Sequence, residues 1–501
     1  MESSPEQEER PEPDEGASEE GASPPAKSLK SRAIKGTLLS VANVGGVQIL
    51  RLAGNLITTR LLFPEAYGLM GLVLVLNQGL QMISDVGIVP NIIQHERGEE
   101  RSFLNTAWTI QFIRGAGLSV IALAVAWPYA QVYGEPELFP LILVASVQGI
   151  ISGLDSTKLA TLNRRIELGR LVFVNITGQV VTLAVMVTWA YLARNVWALL
   201  GGAIAGDVTR MILSHVALPG ENNRFSWEKD AARVIFDFGK WIFLSSLVTY
   251  VGMRFDSIAL GKLIELDTFG IYTVGQNLAG LPQLVTGQIV LWVLLPALSE
   301  SFRDDEAAFG ENVRNARRVM NASGVLMVLA TALGAPAFFW LLYDERYHDA
   351  GWMVQLLMLN TWFFFLQETS IRVQLAMGDS RSQMIANVAK LGGTIPAALI
   401  GFWLGQLPGL ILGVTGGSLV GYATVARGLK KKGIPIFVSD LKWTVLGVVL
   451  GVAGGYTPWL LGPVVGVDPQ LLSIGVGAAI LIPYGAWAGR LVLREIRARR
   501  G

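Results

Sequence analysis

Arginines stand inside two apolar runs of this 501-residue chain: Arg51 opens RLAGNLITTRLLFPEAYGLMGL and Arg254 opens RFDSIALGKLIELDTFGIYTVG. Lys390 stands in a third. A charge at the centre of a bilayer costs at least ~2.5–3.5 kcal/mol on insertion scales, so such side chains turn toward protein or a water-filled cavity. Cations set among spans without a matching set of carboxylates suit an anionic ligand. Arginine favours phosphate through its planar, two-pronged fork. A second role is open to Arg51 and Arg254, because a long side chain within about three turns of a span end can snorkel to the surface.

Neutral polar groups repeat around these charges at helical spacing. Gln48, Arg51, Asn55 and Thr58 recur every three or four residues and fall on one helix face, as do Asn77, Gln81 and Asp85. Tyr250, Arg254 and Ser257 share a face, with Asp256 about 160° from Arg254. Asn387, Lys390 and Thr394 form another stripe, and Glu368 precedes Arg372 at the favourable i, i+4 spacing. The candidate ligand-binding residues are therefore Arg51, Arg254, Lys390, Gln48, Asn55 and Gln81. Asp256, Asp85, Glu368 and Arg372 are candidates for charge balance or ion coupling. Glu368–Arg372 and Asp207–Arg210 read more readily as interfacial or interhelical pairs, and Gln and Asn often join helices in lipid.

The elements that carry these stripes are membrane spans. Hydrophobic residues make up 51% of the chain and charged residues only 16%, against roughly a quarter charged in a soluble domain. The apolar runs, each of roughly 20 residues, predict about fourteen helices and an all-α polytopic membrane protein. Among them are 138–157, 269–295, 382–404 and 408–427. Lys and Arg gather in alternate loops, for example Lys158/Arg164/Arg165 and Lys430/Lys431/Lys432. That asymmetry places both termini in the cytoplasm. LLFPEAYGLM (61–70) aligns with LIELDTFGIY (263–272), superposing Gly68 on Gly270 and Tyr67 on Phe269. An offset of about two hundred residues spans an even number of helices, so the halves are parallel repeats with a site expected between them.

The expected organisation is an acidic disordered cytoplasmic tail (1–31), an N-terminal six-helix lobe (32–218) and a cytoplasmic amphipathic linker (219–238). A C-terminal six-helix lobe (239–430) around the same central cavity and two further helices with a basic tail (431–501) complete it. The chain has no cysteine and three dispersed histidines, so thiolate chemistry and a histidine metal cluster are excluded. No GxxxxGK[ST] loop provides for a nucleotide motor. No long outer loop holds a catalytic domain, and no nucleic-acid role follows from a net charge of +1.

The paired lobes, TRLLFPEAYGLMGL and LNTAWTIQFIRG (104–115) together resemble the polysaccharide-transport (Wzx-type) flippases. These belong to the multidrug/oligosaccharidyl-lipid/polysaccharide exporter superfamily. Asp85-Val-Gly, then NIIQ and LNTAW, is most similar to its colanic-acid/exopolysaccharide branch. The resemblance covers the chain from about residue 32. It implies a non-enzymatic flippase that moves an oligosaccharide on undecaprenyl diphosphate across the bacterial inner membrane, by alternating access through a cationic cavity. It also implies coupling to a proton or sodium gradient and no cofactor. Membrane lipids are the surroundings, with a polysaccharide polymerase and chain-length machinery as protein partners. The competing reading is a multidrug or other small-molecule antiporter of the same fold, which would favour cavity carboxylates over Arg and Lys. A major-facilitator transporter would carry a basic Gly-Asp-Arg-type loop that is missing here. A membrane glycosyltransferase would carry acidic catalytic residues or a large outer loop.

Overall fold

A computed structural model describes residues 26–84, 87–165, 167–305 and 307–498. In chain order its helices are α1 (Ala26–Leu61), α2 (Pro64–Ile83), α3 (Ile88–Gln94), α4 (Arg101–Tyr133), α5 (Leu138–Ala145), α6 (Val147–Gly153), α7 (Lys158–Arg164), α8 (Leu168–Ala193) and α9 (Trp197–Val216). They continue with α10 (Lys229–Leu263), α11 (Leu266–Ile289), α12 (Leu295–Asp304), α13 (Phe309–Leu342), α14 (Ala350–Ala376), α15 (Arg381–Lys431), α16 (Phe437–Val465) and α17 (Pro469–Ala498). No strand occurs among the described residues. Seven helices (α2, α4, α8, α13, α15, α16 and α17) are long and apolar enough to cross a membrane. The bent pair α5–α6 and α7 adds an eighth. Helices α1, α9, α10, α11 and α14 have the length.

Local sequence explains where these helices start, break and stop. Pro64 begins α2, where its fixed φ suits a first turn and its missing N–H is not needed. Gly134 ends α4 at φ +77°, a left-handed cap that any side chain would strain. The expected span 138–157 is instead α5 and α6, bent by 54° at the break before α7. The expected helix 269–295 passes through a π turn at Val290–Leu294 and continues as α12, with Pro296 removing one backbone donor just beyond the turn. Non-helical Gly405 and Gln406 fold α15 into a hairpin. Its arms lie so close that a Cβ on Gly413 would meet the Ala397 carbonyl and one on Gly417 would meet Thr394. Helix α1 begins at Ala26, inside the stretch expected to be tail, and residues 1–25 lie outside the described ones.

Two helical lobes result, with α16 and α17 packed on α13. In the first lobe α8 packs on α1 and α9, and α4 on α5 and α6. In the second, α14 packs on α11, α13 and α15. The lobes meet through α2, which lies against α10 and α11, while α10 also touches α4 and α15. A continuous apolar core joins both lobes around Leu72, Phe269, Tyr272, Phe339 and Val354. Residues 219–238 do not form a separate helix: the amphipathic stretch runs into the second lobe as the single 35-residue α10.

Candidate functional site at the seam between the lobes

The loops at 61–63, 264–265 and 343–349 lie at one end of the bundle, here the turn end. The Lys/Arg-rich loops lie at the other, the basic end. At the turn end the lobes are latched by charge-assisted and neutral bonds to free backbone carbonyls. Arg60 Nη2 donates to the Leu342 carbonyl at 3.2 Å, and Arg346 Nη2 to that of Thr59 at 3.4 Å. The Tyr347 hydroxyl donates to the Leu62 carbonyl at 3.2 Å. The Arg346 guanidinium also sits 4.8 Å from the Phe63 ring centre, and Tyr347 packs edge-on against Tyr67. Asp344 Oδ1 accepts from Arg346 Nε at 2.6 Å, and that bond holds the Asp344 carboxyl below the usual carboxylate range.

Midway along the seam α10 faces both ways. Arg254 Nη2 donates to Gln78 Oε1 on α2 at 2.6 Å, and the Tyr250 hydroxyl bonds the Val75 carbonyl one turn away. The Tyr133 hydroxyl on α4 donates to the Ile258 carbonyl at 3.2 Å. Asp256 points back into its own lobe, as its angle from Arg254 requires. Its carboxylate is buried and accepts from the Tyr272 hydroxyl at 2.6 Å, Gln276 Nε2 at 2.7 Å and the Ser257 N–H at 2.7 Å.

The other candidates have separate surroundings. Arg51 is exposed on α1, with its Nε 3.5 Å from Gln179 Oε1 on α8. Gln48 and Asn55 are half-buried on the same helix. Lys390 Nζ lies 5.4 Å from the Phe364 ring centre, in the electrostatic reach of Glu368 and Asp256. Glu368 is bonded to Arg372 Nη2 at 2.8 Å along one helix face. Gln81 lines a cavity of about 220 Å³ in the first lobe together with Gln111, Arg114, Asp155 and Arg210. Asp85 lies outside the described residues. The structure thus sets Arg254 on the seam itself, with Glu368 and Lys390 on the adjoining helices α14 and α15. A larger apolar cavity of about 750 Å³ opens at the turn end between α1 and α8, with Arg60 at its edge.

Asp207 and Arg210, read from spacing as a pair, take other partners. Arg210 Nη2 is 3.5 Å from Asp155 Oδ2, while Asp207 Oδ2 accepts from Gln148 Nε2 at 2.8 Å. Sequence reading also missed a buried network. Arg317 Nη2 donates to Asp440 Oδ2 at 2.6 Å, Asn321 Nδ2 to Oδ1 at 2.7 Å and the Tyr422 hydroxyl to Oδ2 at 2.7 Å. Arg317 stands in the basic run Arg314/Arg317/Arg318, which by composition belongs with the loop charges. The one available signal was Asp440 in the first turn of α16. Among the described residues no three His, Asp or Glu side chains gather as a metal site would require.

The profile of a family described as polysaccharide biosynthesis protein matches residues 57–352. The succinoglycan biosynthesis transport protein ExoT of Rhizobium meliloti is 22% identical over 426 residues, covering 80% of this chain and 83% of its own. The teichuronic acid biosynthesis protein TuaB of Bacillus subtilis is 20% identical, covering 56% and 57%. Among solved structures, the lipid II flippase MurJ in an inward closed conformation superposes with a TM-score of 0.68 at 13% identity, over 91% of this chain and 99% of that one. An inward-facing multidrug resistance MATE transporter of the MOP superfamily gives 0.57 at 15% identity, over 77% and 95%. The chain shares its fold with these two transporters.

Proposed function

We propose that this chain, which belongs to the polysaccharide biosynthesis protein family, is a flippase that carries a lipid-linked oligosaccharide across the bacterial inner membrane. The observation that carries the reading is the state of the seam. The lobes are latched at the turn end by Arg60, Arg346 and Tyr347, while Arg254 lies between them with a neutral partner. A seam latched at one end and carrying a guanidinium with a neutral partner suits a negatively charged head group, the diphosphate of undecaprenyl diphosphate. Transport relatives in polysaccharide biosynthesis support the same reading.

In this mechanism the head group enters from the basic end, where Arg and Lys collect. Arg51, Arg254 and Lys390 balance its charge, with Gln48, Asn55 and Gln81 offering hydrogen bonds. The polyprenyl chain stays in the bilayer, which costs nothing because its surroundings do not change. Alternating access then means release of the turn-end latch and closure at the basic end. Asp256, Glu368 and Arg372, beside Lys390, are the groups through which a proton or sodium gradient would act, together with Asp85. An antiporter for cationic drugs would need a free acceptor on the seam. Asp256 is a poor one, since three donors already occupy it.

The test is deletion of the gene followed by complementation. Loss of the protein should accumulate lipid-linked repeat units on the inner leaflet, and Arg51→Ala or Arg254→Ala should fail to clear them while reaching the membrane folded. Normal surface polysaccharide from both variants would sink the cationic passage.

A further inference from the structure

Arg254 and Arg51 each face a glutamine from a neighbouring helix. Arg254 Nη2 donates to Gln78 Oε1 at 2.6 Å across the seam, and Arg51 Nε approaches Gln179 Oε1 at 3.5 Å within the first lobe. Several other guanidinium groups are paired with carboxylates: Arg97 with Glu228, Arg317 with Asp440 and Arg372 with Glu368. Among the described residues no carboxylate lies within ion-pairing distance of Arg51 or Arg254.

The chemistry of the two partner types differs in one respect that matters here. A glutamine oxygen accepts an N–H and fixes the long side chain, yet carries no formal charge. A glutamate would make the stronger bond and cancel the charge that an anion needs. We infer that Gln78 and Gln179 are positioning residues, neutral tethers that hold Arg254 and Arg51 in place while leaving their positive charge available to a diphosphate. The inference rests on the cationic reading above and adds two residues to it.

Gln78 gives the sharper test because α2 grips α10 at two points. Tyr250 bonds the Val75 carbonyl one turn from the Arg254–Gln78 contact, so the helices stay docked when Gln78 changes. Binding of undecaprenyl diphosphate to the full-length chain in detergent is measured for wild type and four variants. Arg254→Ala should weaken binding by about 10- to 100-fold, the range for losing a hydrogen bond to a charged group. Gln78→Glu should weaken it as much, with thermal stability no lower than wild type because an ion pair has formed. Gln78→Met keeps the charge and loses the orientation, so its affinity should fall between those of wild type and Gln78→Glu. The exchange Gln78→Arg/Arg254→Gln restores one tethered cation on the seam and should recover part of the affinity, which a merely structural role would not give.

Unchanged binding in Arg254→Ala would overturn the cationic reading itself. Weak binding in Arg254→Ala with wild-type binding in Gln78→Glu would overturn the tether alone. Should Gln78→Glu fail to fold, Gln78→Met decides: intermediate affinity supports the tether, and wild-type affinity overturns it.

Discussion

Gly68 on α2 and Gly270 on α11 stand at equivalent positions of the two repeats, and each is pressed against the other helix's backbone. A Cβ on Gly68 would run into the Leu266 carbonyl, and one on Gly270 into the carbonyl of Pro64. Neither obstacle is the end of a flexible side chain, so the helices would have to separate. Gly270→Leu should therefore prop the turn end open and reduce export. Since the chain has no cysteine, Leu62→Cys, which is buried and keeps the backbone carbonyl of the latch, reports the opening through maleimide labelling. An approximately tenfold faster reaction in the Gly270→Leu background corresponds to a shift of ~1.4 kcal/mol toward the open state. An unchanged rate would mean that the contact is not part of the latch.

The Arg317–Asp440 pair ties α16 to α13, α14 and α15, since Arg317 Nη1 also bonds Ser370 Oγ at 2.9 Å. Both groups are buried, at 4% and 1% exposure. Removing one partner strands the other charge, so Asp440→Ala should destabilise the protein by ~3–5 kcal/mol. The apolar exchange Arg317→Met/Asp440→Leu removes both charges and should cost much less. Denaturation in detergent compares them, and equal losses would show that packing around the pair, not charge, sets its value.

How far the sequence was legible follows from the range of the interactions. The repeat, the stripes on α1, α2 and α10, and the opposite headings of Arg254 and Asp256 are local periodicities, and all can be read from spacing. The Arg317 partner lies 123 residues away, and nothing near Arg317 in a basic run distinguishes a buried guanidinium from a solvated one. Asp207 and Arg210 sit three apart and look like a pair, yet the tertiary fold offers each a nearer group. The break between α5, α6 and α7 is hidden for a related reason. The polar stretch Asp155–Thr157 at the bend reads from composition as the end of a span, and the packing of Gly149 and Gly153 on α4 near Gly115 has no local signal.

Asp379 joins the loop before α15 to the end of that hairpin. Its Oδ2 accepts from Lys432 Nζ at 2.5 Å and from the Ser382 hydroxyl at 2.7 Å. Lys432 first, then Ser382, hold its carboxyl down to about 2. A depressed carboxyl stabilises the fold above its unfolded value of about 3.9, and that contribution is lost as pH falls through the folded value. The melting-temperature gap between wild type and Asp379→Asn should be full at neutral pH and shrink between about pH 4 and pH 2. Lys432→Met should narrow the gap already at neutral pH. A gap independent of pH would show that the bond contributes through packing alone.

The chain between the lobes is stapled to the first of them by backbone donors at every second residue. The N–H groups of Arg224, Ser226 and Glu228 donate at 3.0 Å to Asn105 Oδ1, Thr109 Oγ1 and Thr106 Oγ1. Those acceptors lie in the LNTAWT stretch of α4. Glu228 is further bonded to Arg97 at 2.7 Å, which keeps its carboxyl below the ordinary range. Beyond it Ala231, Ala232 and Ile235 bury against Ile88, Phe103 and Ile110. The start of α10 therefore travels with the first lobe, and any change of angle between lobes must be taken up further along that helix. A bismaleimide bridge in Thr109→Cys/Ser226→Cys should leave most of the export intact. The same bridge in Thr59→Cys/Arg346→Cys, across the turn end, should stop it. If the first bridge also arrests transport, the linker must detach during the cycle; if the second leaves transport untouched, the turn end never opens.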